Sequence, residues 1–145
     1  MNTEKKTKLR HGIVVYEDGR VYQKGKKLGV GHEIFDPDMD LRIPMPPYIR
    51  YEVKNAYGKT ERPLKFVEDV MEAAGYVEGN KLQFKNPVIL HKDGDYKNCT
   101  SNNLQWCDAS DPRYIEYYNK MADTMNALGR ERNKYWPEFK DWKKR

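Results

Sequence analysis

The chain has 145 residues, enough for one domain, and 34% of them are charged against 38% hydrophobic, so its core is modest and its surface heavily decorated. Eleven tyrosines and three tryptophans exclude a disordered chain, two cysteines exclude a disulfide framework, and no apolar run is long enough for a membrane helix; a soluble protein with reduced thiols in a cytosol-like compartment is expected. The formal charge of +5, crowded into MNTEKKTKLR and KDWKKR, suits polyanionic partners or plain solvated ends.

GIVVYEDGRVYQ alternates apolar and polar residues around Asp18-Gly19, which predicts a hairpin over residues 13–23 closed by a tight type I′ turn. GHEIFDPDMDLRIPMPP follows. Its Pro37, Pro44, Pro46 and Pro47 withhold ladder donors, so a long loop or edge segment is expected, with Asp36, Asp38 and Asp40 facing solvent rather than calcium. YIRYEVKNAYGKTER predicts a second hairpin over 48–62 turning at Asn55 to Gly58.

From Pro63 the period changes: Leu64, Val67, Val70, Met71 and Ala74 recur at helical spacing, predicting a helix over 63–75 that starts near Pro63 and stops at Gly75. PVILHKDGDYKNCTSNNLQWC then offers a strand, a loop turning at Asp93-Gly94, and a short strand centred on Leu104 and Trp106, with Trp106 as a core plug. A helix follows, capped by Asp111, opened by Pro112, carrying Ile115, Tyr118, Ala122 and Met125 on one face and ending before Gly129. The expected fold class is α+β in three regions. They are an N-terminal hairpin region with a proline-rich loop (1–62), a helix plus ββα unit (63–128), and a basic-aromatic helical tail (129–145).

The order His91, Asp93-Gly94, Asn98, Asn103-Leu104 and Trp106 resembles the motif of the HNH homing endonucleases of phages and introns. GRVY, YIRYEVKN and LKFVEDVMEAAG are similar to their upstream hairpin, strand and helix segments, while the stretch from Gly31 to Pro47 fits poorly. The resemblance implies a ββα-metal fold in which His91 is the general base, or its vestige, and Asn103, with Asp93 and Asn98, braces the loop. It also implies one Mg²⁺ or Mn²⁺ held by hard ligands. The two ligand positions hold Leu90 and Pro112, which carry no side-chain lone pair, and Asp111 is the neighbouring candidate, whose cheaper role is the helix cap.

Two functions follow from the resemblance. The first is a non-catalytic HNH-fold phage protein with a degenerate active site and no cofactor. It would serve as a virion structural or assembly module, or as a DNA-proximal one, located in the virion or host cytoplasm. The alternative is a Mg²⁺-dependent homing or nicking endonuclease acting on double-stranded DNA. Partners are then other phage-type structural proteins or duplex DNA, with no membrane. Tyr135, Trp136, Phe139 and Trp142 interleaved with Arg130, Arg132 and Lys134 form the expected partner-binding tail.

Overall fold

The computed structural model describes residues 5–37 and 41–133, without the side chains of Asp36, Leu41 and 129–133. Asp38, Asp40 and the tail residues Lys134, Tyr135, Trp136, Phe139 and Trp142 therefore lie outside the described residues, as do the side chains of Arg130 and Arg132.

Strands β1 (Lys6–Lys8), β2 (Ile13–Tyr16), β3 (Val21–Gln23) and β4 (Lys26–Lys27) form an antiparallel sheet in chain order. Ile13, Val15 and Val21 point into the core, as the alternation requires. The turn is not the expected type I′. Only Gly19 has positive φ (92°), and its amide donates to the Tyr16 carbonyl at 2.9 Å, so a type I turn with a left-handed glycine closes a three-residue loop. Asp18 accepts the Arg20 amide at 3.1 Å, a local bond that holds the aspartate in an ordinary turn conformation. The two-residue turn with both φ positive comes one hairpin later, at Lys24 (50°) and Gly25 (80°).

Of the two expectations for the proline-rich segment, the edge holds and the loop does not: β5 (Gly31–Asp36) is an edge strand pairing with β6 (Leu41–Arg50). The register jumps from Glu33↔Pro44 to Gly31↔Tyr48, so Met45, Pro46 and Pro47 bulge out where no donor is demanded. Beyond the bulge, Tyr48 to Arg50 pair with β9 (Leu64–Phe66), and β7 (Val53–Lys54) with β8 (Thr60–Glu61) in the same register. The second hairpin thus runs to Phe66, interrupted at Pro63, which has no amide hydrogen to give. The helix α1 (Val67–Ala73) is correspondingly shorter than expected, with Pro63 and Leu64 outside it. It stops as expected at Gly75 (φ 79°), where the Tyr76 amide reaches the Met71 carbonyl at 2.9 Å and Gly75 reaches Glu72 at 3.0 Å.

Strand β10 (Pro87–His91) pairs antiparallel with β11 (Leu104–Asp108), and α2 (Pro112–Asn133) follows, giving β, β, α in order. Helix α2 continues through Gly129, where a stop was expected; one interior glycine costs only about 1 kcal/mol against alanine. One buried cluster unites the parts: Val67, Val70 and Met71 of α1 pack with Val15, Val21 and Ile49 and with Ile89, Leu104 and Trp106 of the ββα unit.

The buried Gln23 side chain stitches the first sheet to the second hairpin. Its amide donates to the carbonyls of His11 (2.9 Å) and Glu52 (2.8 Å), and its carbonyl accepts the Glu52 amide (2.8 Å). Gln23→Ala would leave these backbone groups unpaired, at about 1–3 kcal/mol for each one that stays buried. We expect a thermal midpoint lowered by at least about 5 °C, read by circular dichroism, against a near-neutral surface control such as Lys59→Ala.

Candidate functional site

The loop between β10 and β11 is built from its own side chains. Asp93 Oδ1 accepts the Asp95 amide at 2.8 Å, its Oδ2 takes the Asn98 amide group at 2.8 Å, and Gly94 (φ 76°) makes the turn. The Asn98 bond, then the Asp95 amide, hold the Asp93 carboxyl below its usual range. Asn103, 6% exposed, spans the loop: its carbonyl accepts the Asp93 amide at 3.0 Å, and its amide group donates to Asp93 Oδ1 (3.0 Å) and the Asn98 carbonyl (2.8 Å). Asn103, Asp93 and Asn98 are therefore one network.

His91 closes β10 and is 5% exposed. Its Nδ1 lies 3.0 Å from the Asn98 carbonyl, and its Nε2 lies 2.9 Å from Glu68 Oε2 on α1. Both partners are acceptors, and a neutral imidazole has only one N–H, so the arrangement is satisfied by the imidazolium. Burial of the ring pulls its pKa down. The Glu68 hydrogen bond and charge, the Asn98 carbonyl and the Asp93 charge together pull harder, and the net shift is upward from 6.5.

Glu68 is the site residue that the sequence reading missed. It lies 23 positions upstream, on the half-exposed edge of a helix whose buried face is Val67, Val70 and Met71, and only the packing of that face brings it to His91. Its position in the first turn of α1 was the one local signal, and many carboxylates share it. Tyr117 of α2 also faces the ring, at 6.4 Å between centroids, with its hydroxyl pKa pushed up by burial.

Leu90 is 4% exposed and lines a cleft of about 290 Å³ with His91, Arg113, Glu116, Tyr117 and Lys120. Pro112 is exposed at the first position of α2. Asp111 caps that helix, accepting the Arg113 amide at 2.9 Å, and its other oxygen meets the Arg113 guanidinium at 2.9 Å. The Arg113 bond holds the Asp111 carboxyl low. Among the described residues, no group of three or more His, Cys, Asp or Glu side chains is placed to hold a metal ion. The residues at the two ligand positions that the resemblance implies offer a divalent cation no side-chain lone pair, one being leucine and one proline, while Asp111 beside them caps α2 and Nε2 of His91 meets Glu68.

Across the molecule, a second cleft of about 450 Å³ is lined by Lys24, Lys26, Lys27, Arg50 and Arg62, with Glu52 as its one carboxylate. Gln23 forms part of the same wall.

No family model matches the chain, and no curated protein matches it significantly. A solved structure described as "DNA binding and cleavage by the HNH homing endonuclease I-HmuI" is similar to it, with 23% identity, 90% of this chain and 66% of that chain covered, and a TM-score of 0.46. This chain thus spans a little under two thirds of that protein's length, and a score at this level adds nothing to the case made by the residues themselves.

The His91–Glu68 contact carries a pH signature. A histidine with a raised folded pKa contributes stability that is fully present below its unfolded value and is lost as pH rises through the folded value. We expect the stability advantage of the native chain over Glu68→Gln, measured by urea unfolding, to shrink as pH rises from roughly 5.5 to 8.5. Asp93 and Asp111 titrate below that window, their contributions being lost only in acid. An advantage that stays flat across the window would contradict the pairing.

Proposed function

We propose that the chain is a non-cleaving, DNA-proximal interaction module on an HNH-like ββα scaffold. One observation carries the reading: each ring nitrogen of His91 lies within hydrogen-bond distance of an acceptor, and the charged ring that satisfies both has no lone pair to take a proton from water. Leu90 and Pro112 supply no ligand beside it, so a scissile phosphate would find neither base nor Lewis acid. The loop network of Asp93, Asn98 and Asn103 supports the other half of the reading, a scaffold kept intact for its shape.

Duplex DNA is the partner we favour. Five cations and one carboxylate line the cleft beside the β3–β4 turn, and such a groove neutralises backbone phosphates without reading sequence. The proposal of a phage-type particle as partner rests on tail residues outside the described region.

A working nuclease is the second reading, and one observation favours it. A bond from Nδ1 to the Asn98 carbonyl is what would hold a neutral base with its Nε2 lone pair turned outward, were Glu68 to withdraw. Supercoiled plasmid with magnesium or manganese decides between the two. We expect no nicking above that of His91→Ala, and metal-dependent nicking abolished by that change would establish the nuclease reading instead. In gel shifts of a plain duplex, we expect Lys26→Glu with Lys27→Glu to weaken binding and flatten its salt dependence. A duplex that never binds at low salt would remove DNA as the partner.

A further inference from the structure

The cleft beside His91 adjoins a second cavity that neither reading uses. That cavity, about 220 Å³, is walled by Tyr96, Tyr117, Met121 and Met125 on one side and by the Pro44–Pro46 bulge on the other. Gly94, Tyr117 and Lys120 line both spaces, so the two adjoin along these residues. Their characters differ. The cavity behind Tyr117 is aromatic and thioether-lined, with the rings of Tyr96 and Tyr117 6.2 Å apart and tilted by 47°. The cleft beside it carries Lys92, Arg113 and Lys120 against Asp93 and Glu116.

A ligand matching this pair is flat and apolar at one end and anionic at the other. Aromatic faces and methionine sulfurs stack on a heteroaromatic ring without demanding its identity. The three cations hold surface partners: Lys92 with Glu78, Arg113 with Asp111 at 2.9 Å, and Lys120 with Glu116 at 3.3 Å. Pairs of this kind contribute little, and the Lys120 and Arg113 side chains are 77% and 57% exposed, so a phosphate can recruit them. An aliphatic chain would satisfy the first cavity and leave the cationic cleft unused; inorganic phosphate would do the reverse.

We propose that the two cavities form one site for a single nucleotide, with its base between the wall of Tyr96, Tyr117 and the methionines and the Pro44–Pro46 segment, and its phosphate at Lys120 and Arg113. The nucleotide is one unit of a single strand, and in that respect the inference rests on the nucleic-acid reading above. The Pro44–Pro46 bulge acquires a role, since it supplies the wall opposite the tyrosines.

The test uses the full chain and a short fluorescein-labelled single-stranded oligonucleotide, followed by anisotropy. Unlabelled AMP, adenosine, inorganic phosphate and an abasic strand of equal length serve as competitors. We expect AMP to compete better than adenosine or phosphate, and the abasic strand to bind about fivefold or more weakly. Tyr96→Ala should weaken strand binding by a similar factor and Tyr96→Phe should restore it, with thermal midpoints confirming that both variants fold. AMP that binds by calorimetry while the labelled strand does not would support the site and assign it a free nucleotide. Duplex binding is measured in parallel in the same buffer; losing it while AMP still binds would sink the duplex reading and leave this one standing. An abasic strand that binds equally, or Tyr96→Ala without effect, would overturn the site.

Discussion

The structure turns on an imidazole held between two acceptors. His91 meets the Asn98 carbonyl through Nδ1 and the Glu68 carboxylate through Nε2, and an unprotonated ring could donate to only one of them. Everything nearby follows from keeping that geometry. Asn103 and Asp93 fix the loop that presents the Asn98 carbonyl, and Val67, Val70 and Met71 bury the face of α1 that sets where Glu68 points. The contact therefore ties α1 to the ββα unit at the point where a nuclease would need a free base.

Two opposing effects meet at this ring. Its burial disfavours charge, while the Glu68 hydrogen bond and charge, the Asn98 carbonyl and the Asp93 charge favour it; the net shift of its pKa is upward. The same loop would serve a catalytic histidine equally well, since a carbonyl on Nδ1 is how such rings are oriented. What separates the two states is the occupant of Nε2. Leu90 and Pro112 carry no side-chain lone pair beside it, while the Asp93, Asn98 and Asn103 hydrogen bonds hold the loop together.

Elements whose signal is local were legible in the sequence. The ββα order, the Asp93-Gly94 turn, the Asp111 cap, the Gly75 stop and the buried Trp106 each depend on a few neighbouring residues, and each stands where the pattern put it. Elements decided by distant pairing were not. Prolines 44 to 47 read as a loop because a bulge that excuses them from the ladder cannot be seen without the partner strand. Leu64 and Phe66 have helical spacing to their successors, yet they pair with Arg50 and Tyr48. Gly129 has the low helix propensity of a stop, yet α2 runs through it to Asn133. Glu68 was invisible for a related reason: nothing in LKFVEDVMEAAG distinguishes it from Asp69 or Glu72, and only the packed core chooses among the three.

We infer that Nε2 of His91 keeps a proton and donates it in a hydrogen bond to Glu68. Nitrogen-15 NMR of the histidine side chains at neutral pH reads this directly, because an imidazolium shows two protonated ring nitrogens and a neutral ring shows one of each kind. The account expects two protonated nitrogens for His91 in the native chain, with Glu68→Gln returning the ring to one. A native His91 with a bare Nε2 at neutral pH, unchanged by Glu68→Gln, would contradict the account and return that nitrogen to the role of a base.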